Sequence, residues 1–293
     1  MTLSVNALRA FLGANPAAIV AELTAVRGSS PRAAGTFMLI SAEAQIGTIG
    51  GGALEYMVID RARQVLRDGG HEDSLDIPLG PEIGQCCGGR VDVALRRVTE
   101  AQAQELVGRI EAEKAARPHV VMFGAGHVGH ALAQALSALP LQVQVIDTRP
   151  DELVGFPHDV ETQAVAMPEA MVRSAPQGSA FVILTHDHAL DFLIAAEALQ
   201  RQDAPYVGMV GSLTKKAKFR SWYLSEGYPA AALERLVLPI GGAAFPGGVG
   251  DKRPEVIAAL AAAEIMVHIV RREALKIDAR LATEQMSGAV IGR

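Results

Sequence analysis

The sequence predicts an α/β protein with two domains, the second of which is built around a parallel sheet. The chain has 293 residues, which corresponds to roughly two domains of ordinary size. After residue 118, short β-like runs alternate with helical patterns, as is typical of a parallel sheet covered by helices on both faces. Before residue 118, Gly-rich loops separate β-like runs from one amphipathic helix, which predicts a small α/β domain.

The first domain is predicted to cover residues 1–115. Runs of bulky apolar residues flank the turn at Gly28–Pro31 and indicate two paired strands. Apolar residues at a spacing of three to four then predict a helix, which ends at Gly69 and Gly70. The predicted strands cover 18–26, 36–40, 74–77 and 91–95, and the predicted helix covers 54–66.

A change of composition predicts where the second domain begins. Residues 100–117 are charged and rich in Ala, Gln and Glu, and this stretch ends at Pro118. We therefore assign residues 116–272 to a second domain and residues 273–293 to a C-terminal tail. The strands predicted in the second domain cover 119–123, 141–146, 180–184, 206–210 and 236–240, and its helices cover 127–138, 189–201, 214–226 and 254–272.

Composition argues against several classes of protein. The net charge is −5, from 27 Lys and Arg against 32 Asp and Glu, and no basic stretch occurs, so a nucleic-acid partner has no electrostatic support. No apolar run reaches the ~18 residues of a membrane span, and the N-terminus lacks a secretory pattern. Cys86 and Cys87 are neighbours that would close no useful disulfide loop. We expect a cytoplasmic protein with neither a membrane nor a nucleic-acid partner.

A glycine motif follows the first strand of the second domain. Gly124, Gly126 and Gly129 have the spacing G-x-G-x-x-G and open a predicted helix, and Asp147 ends the next strand with Arg149 beside it. Such glycines permit a tight turn and the close approach of a phosphate, while the carboxylate can bind a ribose hydroxyl. The motif predicts a Rossmann-like unit, whose glycines either bind a phosphate or only pack the helix on the sheet.

Polar residues follow the strand predicted at 180–184, where ligands of open α/β sheets gather. His186, His188 and Asp191 resemble part of a zinc site, although the chain offers no second histidine cluster to complete the metal shell. The same residues are also compatible with a polar ligand-binding turn or with a helix N-cap that holds no ligand.

The next strand ends in Gly211 and Ser212 and leads into a helix with Lys215 in its first turn. Backbone amides and a nearby ammonium favour an anion at such a helix start. An ordinary loop with surface lysines explains the string equally well.

Three loops of the first domain are dense in glycine and small polar residues. Consecutive glycines lose much backbone entropy on folding and are uncommon unless something approaches the backbone closely. The loops therefore suggest a second ligand surface, although each could also be a tight turn. Their candidate residues are Arg32 in the first loop, Gly50, Gly51, Gly52 and Glu55 in the second, and Cys86 and Cys87 in the third.

Taken together, these loops resemble the xanthine dehydrogenase accessory protein family (XdhC/CoxI). The resemblance extends from about residue 19 to residue 269, and its ordered matches are far more specific than a lone glycine motif. The matching segments are GSSPR at 28–32, GTIGGGALE at 47–55, CCGG at 86–89, FGAGHVGHAL at 123–132, DTRP at 147–150, THDHALD at 185–191, VGMVGS at 207–212 and DKRPEVIA at 251–258.

The resemblance implies a non-catalytic chaperone that binds the molybdopterin form of the molybdenum cofactor. Such a protein holds the cofactor for sulfuration and inserts it into the molybdenum subunit of apo xanthine dehydrogenase, with a cysteine desulfurase as the candidate sulfur donor. It also implies a homodimer. The residues expected to bind the cofactor are Arg32, Gly50, Gly51, Gly52, Glu55, Cys86, Cys87, Gly124, Gly126, His127, Gly129, Asp147, Arg149, His186, His188, Gly211 and Ser212, and no resident metal is expected.

Two other functions compete with this interpretation. An NAD(P)-dependent oxidoreductase explains Gly124–Gly129 and Asp147 directly, but it leaves the loops of the first domain without a role. A metal-dependent hydrolase would need His186, His188 and Asp191 as ligands.

Overall fold

A computed structural model describes residues 3–81, 88–242 and 251–291, with side chains described as far as Leu275. Contacts divide the chain into two compact units, residues 1–116 and residues 117–293. Each unit is built on its own sheet, antiparallel in the first and parallel in the second. The predicted α/β fold class is confirmed.

The first unit is a five-stranded antiparallel sheet in the order β3-β2-β1-β5-β4. The two strands predicted before the glycine loops pair as expected, with Ile19 opposite Ile40. The strands are β1 (Ala18–Arg27), β2 (Phe37–Ser41), β3 (Gln45–Gly47), β4 (Glu72–Pro78) and β5 (Arg90–Arg97), and the helices are α1 (Val5–Ala14), α2 (Gly52–Arg67) and α3 (Glu100–Ala115).

Helices cover both faces of this sheet because the central strand β1 is apolar on both sides. Ile19 packs with Leu54 and the rest of α2 on one face, and Val20 packs with α1 and α3 on the other. The sequence prediction contained α2 but neither α1 nor α3. Its charged stretch at 100–117 is α3, which begins at a capping box formed by Thr99 and Gln102.

The second unit is a six-stranded parallel sheet in the order β11-β10-β9-β6-β7-β8. Counted within the unit, this is the 3-2-1-4-5-6 order of a Rossmann fold, which reverses between β6 and β9. The strands are β6 (His119–Phe123), β7 (Gln142–Asp147), β8 (Glu161–Ala164), β9 (Ala180–Ile183), β10 (Val207–Met209) and β11 (Leu236–Val237), and the helices are α4 (His127–Ser137), α5 (Pro168–Ser174), α6 (His188–Gln200), α7 (Leu213–Ser225) and α8 (Pro254–Ile291).

Two apolar layers enclose this sheet, as the alternation of strands and helices predicts. Helices α4 and α8 pack on one face, and α5, α6 and α7 pack on the other. The sequence prediction left out β8 and α5. Strand β8 is a four-residue edge strand without a buried residue, and α5 has seven residues, so neither shows a clear hydrophobic period.

The last helix is longer than the sequence predicted. Helix α8 does not end at residue 272 but continues to Ile291. No proline follows Pro254, the first glycine after it is Gly288, and the intervening residues are mostly good helix formers such as Ala, Leu, Glu and Arg. Among the helices that the structure describes, none has both the length and the apolar character needed to cross a membrane.

Candidate functional site

The turn between β6 and α4 lies where the strand order of the parallel sheet reverses, and its three glycines have different roles. Gly124 has φ +115°, and a Cβ there would lie 2.4 Å from the carbonyl oxygen of Leu184. A Cβ on Gly129 would lie 2.3 Å from the carbonyl oxygen of Gly124. Both glycines are therefore required by packing, the first between two strand ends and the second between helix and turn.

Gly126 is different because packing does not require it. It has ordinary extended backbone angles, and a Cβ placed on it meets no described atom within 4 Å. It is the N-cap of α4 and supplies no side-chain capping bond, so no N-cap side chain satisfies the first N–H groups of the helix. These amides and the positive end of the helix dipole suit an anion. His127 begins the helix and is exposed.

Asp147, at the end of β7, is already fully hydrogen-bonded within the protein. The carboxylate is 4% exposed. Its Oδ1 accepts from the backbone N–H and the Nε of Arg149, both at 3.0 Å, while Oδ2 accepts from Ala125 N at 2.8 Å and Arg149 Nη2 at 3.1 Å. Asp147 therefore joins the glycine turn to the following loop, and Arg149 supplies three of its four hydrogen bonds.

These hydrogen bonds also contribute to the acid response of the second unit. Burial tends to raise the pKa of Asp147, but the bonds from Arg149 and Ala125 outweigh it and hold the pKa below its ordinary value. The resulting stabilisation is complete above the ordinary aspartate pKa of about 4 and is lost as pH falls through the lower pKa of the folded state.

We expect Asp147→Asn to be less stable than the parent at pH 7 and to approach it as pH falls below about 4. Urea midpoints followed by Trp222 fluorescence report on this unit, because Trp222 lies in α7 and is the sole tryptophan of the sequence. The exposed residue Asp151 provides the control Asp151→Asn. A midpoint difference that stays constant from pH 7 to pH 3 would contradict this assignment.

A buried ion pair joins the first turns of α6 and α7, the helices that follow β9 and β10. Asp191 is 0% exposed and accepts at Oδ1 from the backbone N–H of Thr185, at 3.0 Å. Its Oδ2 accepts from the ammonium of Lys215, which also donates to the carbonyl oxygen of Val210 at 2.9 Å. The pair is enclosed, so neither group faces a ligand directly.

This pair bears on the alternatives that the sequence left open for the string from His186 to Asp191. Asp191 is not available as a zinc ligand, because Lys215 and Thr185 hold it inside, whereas His186 and His188 are exposed. Within the described residues, no three His, Cys, Asp or Glu side chains are grouped as a metal shell. The N-cap interpretation of this string describes Asp187, whose carboxylate accepts from the N–H of Ala189 at 2.8 Å.

The predicted anion site at the start of α7 also loses its ammonium. The side chain of Lys215 folds across Gly211, where a Cβ would lie 2.5 Å from its Cδ. Ser212 uses its hydroxyl as the N-cap of α7, accepting from the N–H of Lys215 at 3.3 Å. Gly211 is therefore required because the buried side chain of Lys215 packs against it. Ser212 is required as the N-cap of α7.

In the first unit, Glu55 organises the glycine loop that precedes α2. Its Oε1 accepts from the backbone N–H of Ile49 at 3.0 Å, from that of Gly51 at 2.9 Å and from the hydroxyl of Thr48 at 2.5 Å. Glu55 thus acts mainly on its own loop. The φ angles of Gly50, Gly51 and Gly52 are +141°, +83° and +64°, so three consecutive residues depend on glycine.

The described residues of the three glycine loops of the first unit lie against one another. The loop from Gly28 to Arg32 lies between the other two, because a Cβ on Gly50 would be 2.7 Å from Pro31 Cγ and one on Gly89 would be 2.0 Å from the carbonyl oxygen of Ser29. Sequence spacing predicted a ligand surface from these loops without showing that they meet. Cys86 and Cys87, the proposed thiols, lie outside the described residues.

Beside these loops the first unit has a cavity of about 400 Å³. Arg32, an exposed candidate from the sequence, lines it. Gly47 and Thr48, which belong to the GTIGGGALE segment, line it as well. The remaining lining residues lie outside the quoted motifs and are Leu3, Ala34, Gly35, Thr36, Phe37, Ile110 and Glu113.

Comparison with known proteins finds one family model that matches each unit. A model described as the XdhC Rossmann domain matches residues 120–265, and one described as the XdhC and CoxI family matches residues 12–77. The uncharacterized protein YqeB of Escherichia coli K12 is 25% identical over 257 residues, which cover 84% of this chain but 42% of that protein. The chain thus spans about two fifths of the length of this curated relative.

A solved structure from Bacillus halodurans, described as a xanthine dehydrogenase, superposes with a TM-score of 0.72 at 19% identity. The match covers 92% of this chain and 96% of that one, and at this identity it shows a shared fold. The two family matches occur in the same order as the two units and together cover most of the chain. The chain therefore belongs to the XdhC and CoxI family.

Proposed function

We propose that this chain binds the molybdopterin form of the molybdenum cofactor, holds it for sulfuration and inserts it into apo xanthine dehydrogenase. The family assignment supports an accessory role in xanthine dehydrogenase maturation. One observation of the structure carries the binding proposal: the uncapped start of α4 faces an open space at Gly126, where packing does not require a glycine. We assign no catalytic turnover to the chain.

The residues at the start of α4 fit one chemical end of this cofactor. Molybdopterin ends in a phosphate, which the amides at the start of α4 can bind without a side chain. The cavity of the first unit, lined by Arg32, Thr48 and Phe37, is a separate candidate ligand surface of that unit.

The partners follow from the same proposal. They are the molybdenum subunit of apo xanthine dehydrogenase, a cysteine desulfurase as sulfur donor and a second copy of this chain in a homodimer. We propose a cytoplasmic location, where two neighbouring cysteines remain reduced.

An NAD(P)-dependent oxidoreductase is the second candidate, favoured by the strand order and by the glycine spacing after β6. It is the weaker candidate because Asp147, which would bind the ribose, is engaged by Arg149 and Ala125. It also leaves the glycine loops of the first unit without a role.

The deciding experiment measures anaerobic equilibrium binding of the purified chain to molybdenum cofactor, to NAD(H) and to NADP(H). The loaded protein is then added to apo xanthine dehydrogenase, and recovered dehydrogenase activity is measured. We expect micromolar or tighter cofactor binding followed by activation. Dinucleotide binding without cofactor transfer would overturn the proposal.

A substitution at Gly126 separates binding from stability. Aspartate is a preferred N-cap, so Gly126→Asp should leave folding stability unchanged or raise it by a few tenths of a kcal/mol. The same carboxylate would occupy the open space and repel a phosphate, so we expect cofactor affinity to fall about 100-fold. Calorimetric binding and urea denaturation of the same preparation measure the two effects.

Gly126→Asn is the matched control, since it caps the helix without the charge. It should weaken binding less than Gly126→Asp. Gly108→Ala, in α3 with no described atom within 4 Å of the added Cβ, should leave binding unchanged. Unchanged cofactor affinity in Gly126→Asp would show that the phosphate does not bind at α4.

A further inference from the structure

The carboxylate that ends β7 is where a Rossmann site selects a dinucleotide. In dinucleotide-binding members of this fold, that carboxylate accepts hydrogen bonds from ribose hydroxyls. Here the residue is Asp147, and its oxygens accept four bonds, three from Arg149 and one from Ala125 N. A carboxylate offers about four lone-pair positions, so Asp147 has no acceptor position left for a ribose.

Arg149 is fixed from both sides. Its Nε and Nη2 donate to the two carboxylate oxygens of Asp147, and its Nη1 donates to Glu152 Oε1 at 3.1 Å. A ribose would have to replace the bidentate guanidinium on a buried carboxylate by bonds from neutral hydroxyls, which supply no counter-charge. If a ribose displaced Arg149 from Asp147, the guanidinium would keep only the hydrogen bond to Glu152 from this set.

We propose that Arg149 is a specificity-determining residue that excludes dinucleotides from the Rossmann-like site by saturating Asp147. The phosphate-binding start of α4 stays open, because none of these four bonds uses the N–H groups of His127 or Val128. The site then accepts a phosphate monoester whose other end is not held by Asp147. This inference deepens the proposed function and rests on it for the identity of the ligand. The exclusion of dinucleotides is independent of the proposed function.

The test is a gain of binding in the full-length chain. The parent should bind NADH weakly, and Arg149→Ala should bind it about tenfold to 100-fold more tightly, measured by NADH fluorescence. Arg149→Gln, which keeps one donor for Asp147, should give a smaller gain. Damage to the fold cannot produce tighter binding, so an increase reports on Asp147 rather than on stability.

Two further variants assign the gain to the carboxylate. Adding Asp147→Asn to Arg149→Ala should abolish the gain. Arg173→Ala, which breaks an exposed ion pair with Glu197 on α5 and α6, should leave NADH binding as in the parent. The inference is overturned if the parent binds NADH or NADPH at micromolar concentrations, or if Arg149→Ala binds no better than the parent.

Molybdenum cofactor binding is measured on the same variants to separate the two proposals. If no variant binds the cofactor but Arg149→Ala gains NADH binding, the proposed function fails and the role of Arg149 stands. If the parent binds the cofactor and Arg149→Ala binds NADH no more tightly than the parent, only the proposed role of Arg149 is refuted.

Discussion

Gly124→Ala is expected to destabilise the second unit by about 3–5 kcal/mol, since it combines backbone strain with overpacking. Gly124 has φ +115°, and the added Cβ would lie 2.4 Å from the carbonyl oxygen of Leu184 and 2.9 Å from the N–H of Thr185. Both neighbours are backbone atoms and cannot rotate away. The N–H of Leu184 also donates to Phe123 O at 2.7 Å, so a shift of Leu184 away from the added Cβ would disturb the pairing of β6 with β9.

Gly155→Ala provides the matched control in the same unit. Gly155 also has a positive φ, +86°, but no described atom lies within 4 Å of its added Cβ. It should lose only about 1 kcal/mol from backbone strain. Urea denaturation followed by Trp222 fluorescence measures both variants. Equal losses for Gly124→Ala and Gly155→Ala would show that the close approach to Leu184 does not exist in solution.

Breaking the buried pair between Asp191 and Lys215 should have an effect of similar size. Asp191→Ala leaves a buried ammonium without its counter-charge and removes the acceptor of the Thr185 N–H. Loss of one partner from a buried ion pair costs about 3–5 kcal/mol. We therefore expect Asp191→Ala to unfold at a much lower urea concentration than the parent.

A double-mutant cycle distinguishes the pair from two independent groups. Lys215→Met removes the cation while keeping a long apolar side chain, and the combined Asp191→Ala/Lys215→Met variant leaves neither charge buried. The double variant should be more stable than the sum of the singles predicts by more than about 1 kcal/mol. The exposed pair of Arg173 and Glu197 should show little coupling in the same cycle. Additive losses at Asp191 and Lys215 would refute the pairing.

The fold could be predicted where hydrophobic pattern and glycine spacing agree. Apart from β8, the strands of the parallel sheet are mainly apolar runs, because the sheet is buried on both faces, and helices α4, α6 and α7 follow from their alternation with these strands. Strand β8 and helix α5 could not be found in this way, since one is polar at a sheet edge and the other spans two turns. For α3, the capping box at Thr99 was the stronger signal, although its charged composition suggested a boundary.

The candidate site was predictable as a set of loops but not as a set of contacts. The glycine spacing located the start of α4, and the strand ends located the loops after β9 and β10. Pairings such as Asp191 with Lys215 join residues 24 positions apart and depend on how neighbouring loops fold against each other. Sequence alone therefore left these two groups as candidates for a ligand site among other interpretations, whereas the structure pairs them with each other.

Glu55 has a consequence for ligand affinity at the first unit. Three consecutive glycines with positive φ would sample many conformations in an unsupported loop, yet one carboxylate oxygen holds Ile49, Gly51 and Thr48 together. The loop is thus preorganised, and its conformational entropy is lost during folding rather than during association. A partner that binds this loop in the same conformation does not have to order it, so more of the interaction energy remains as affinity.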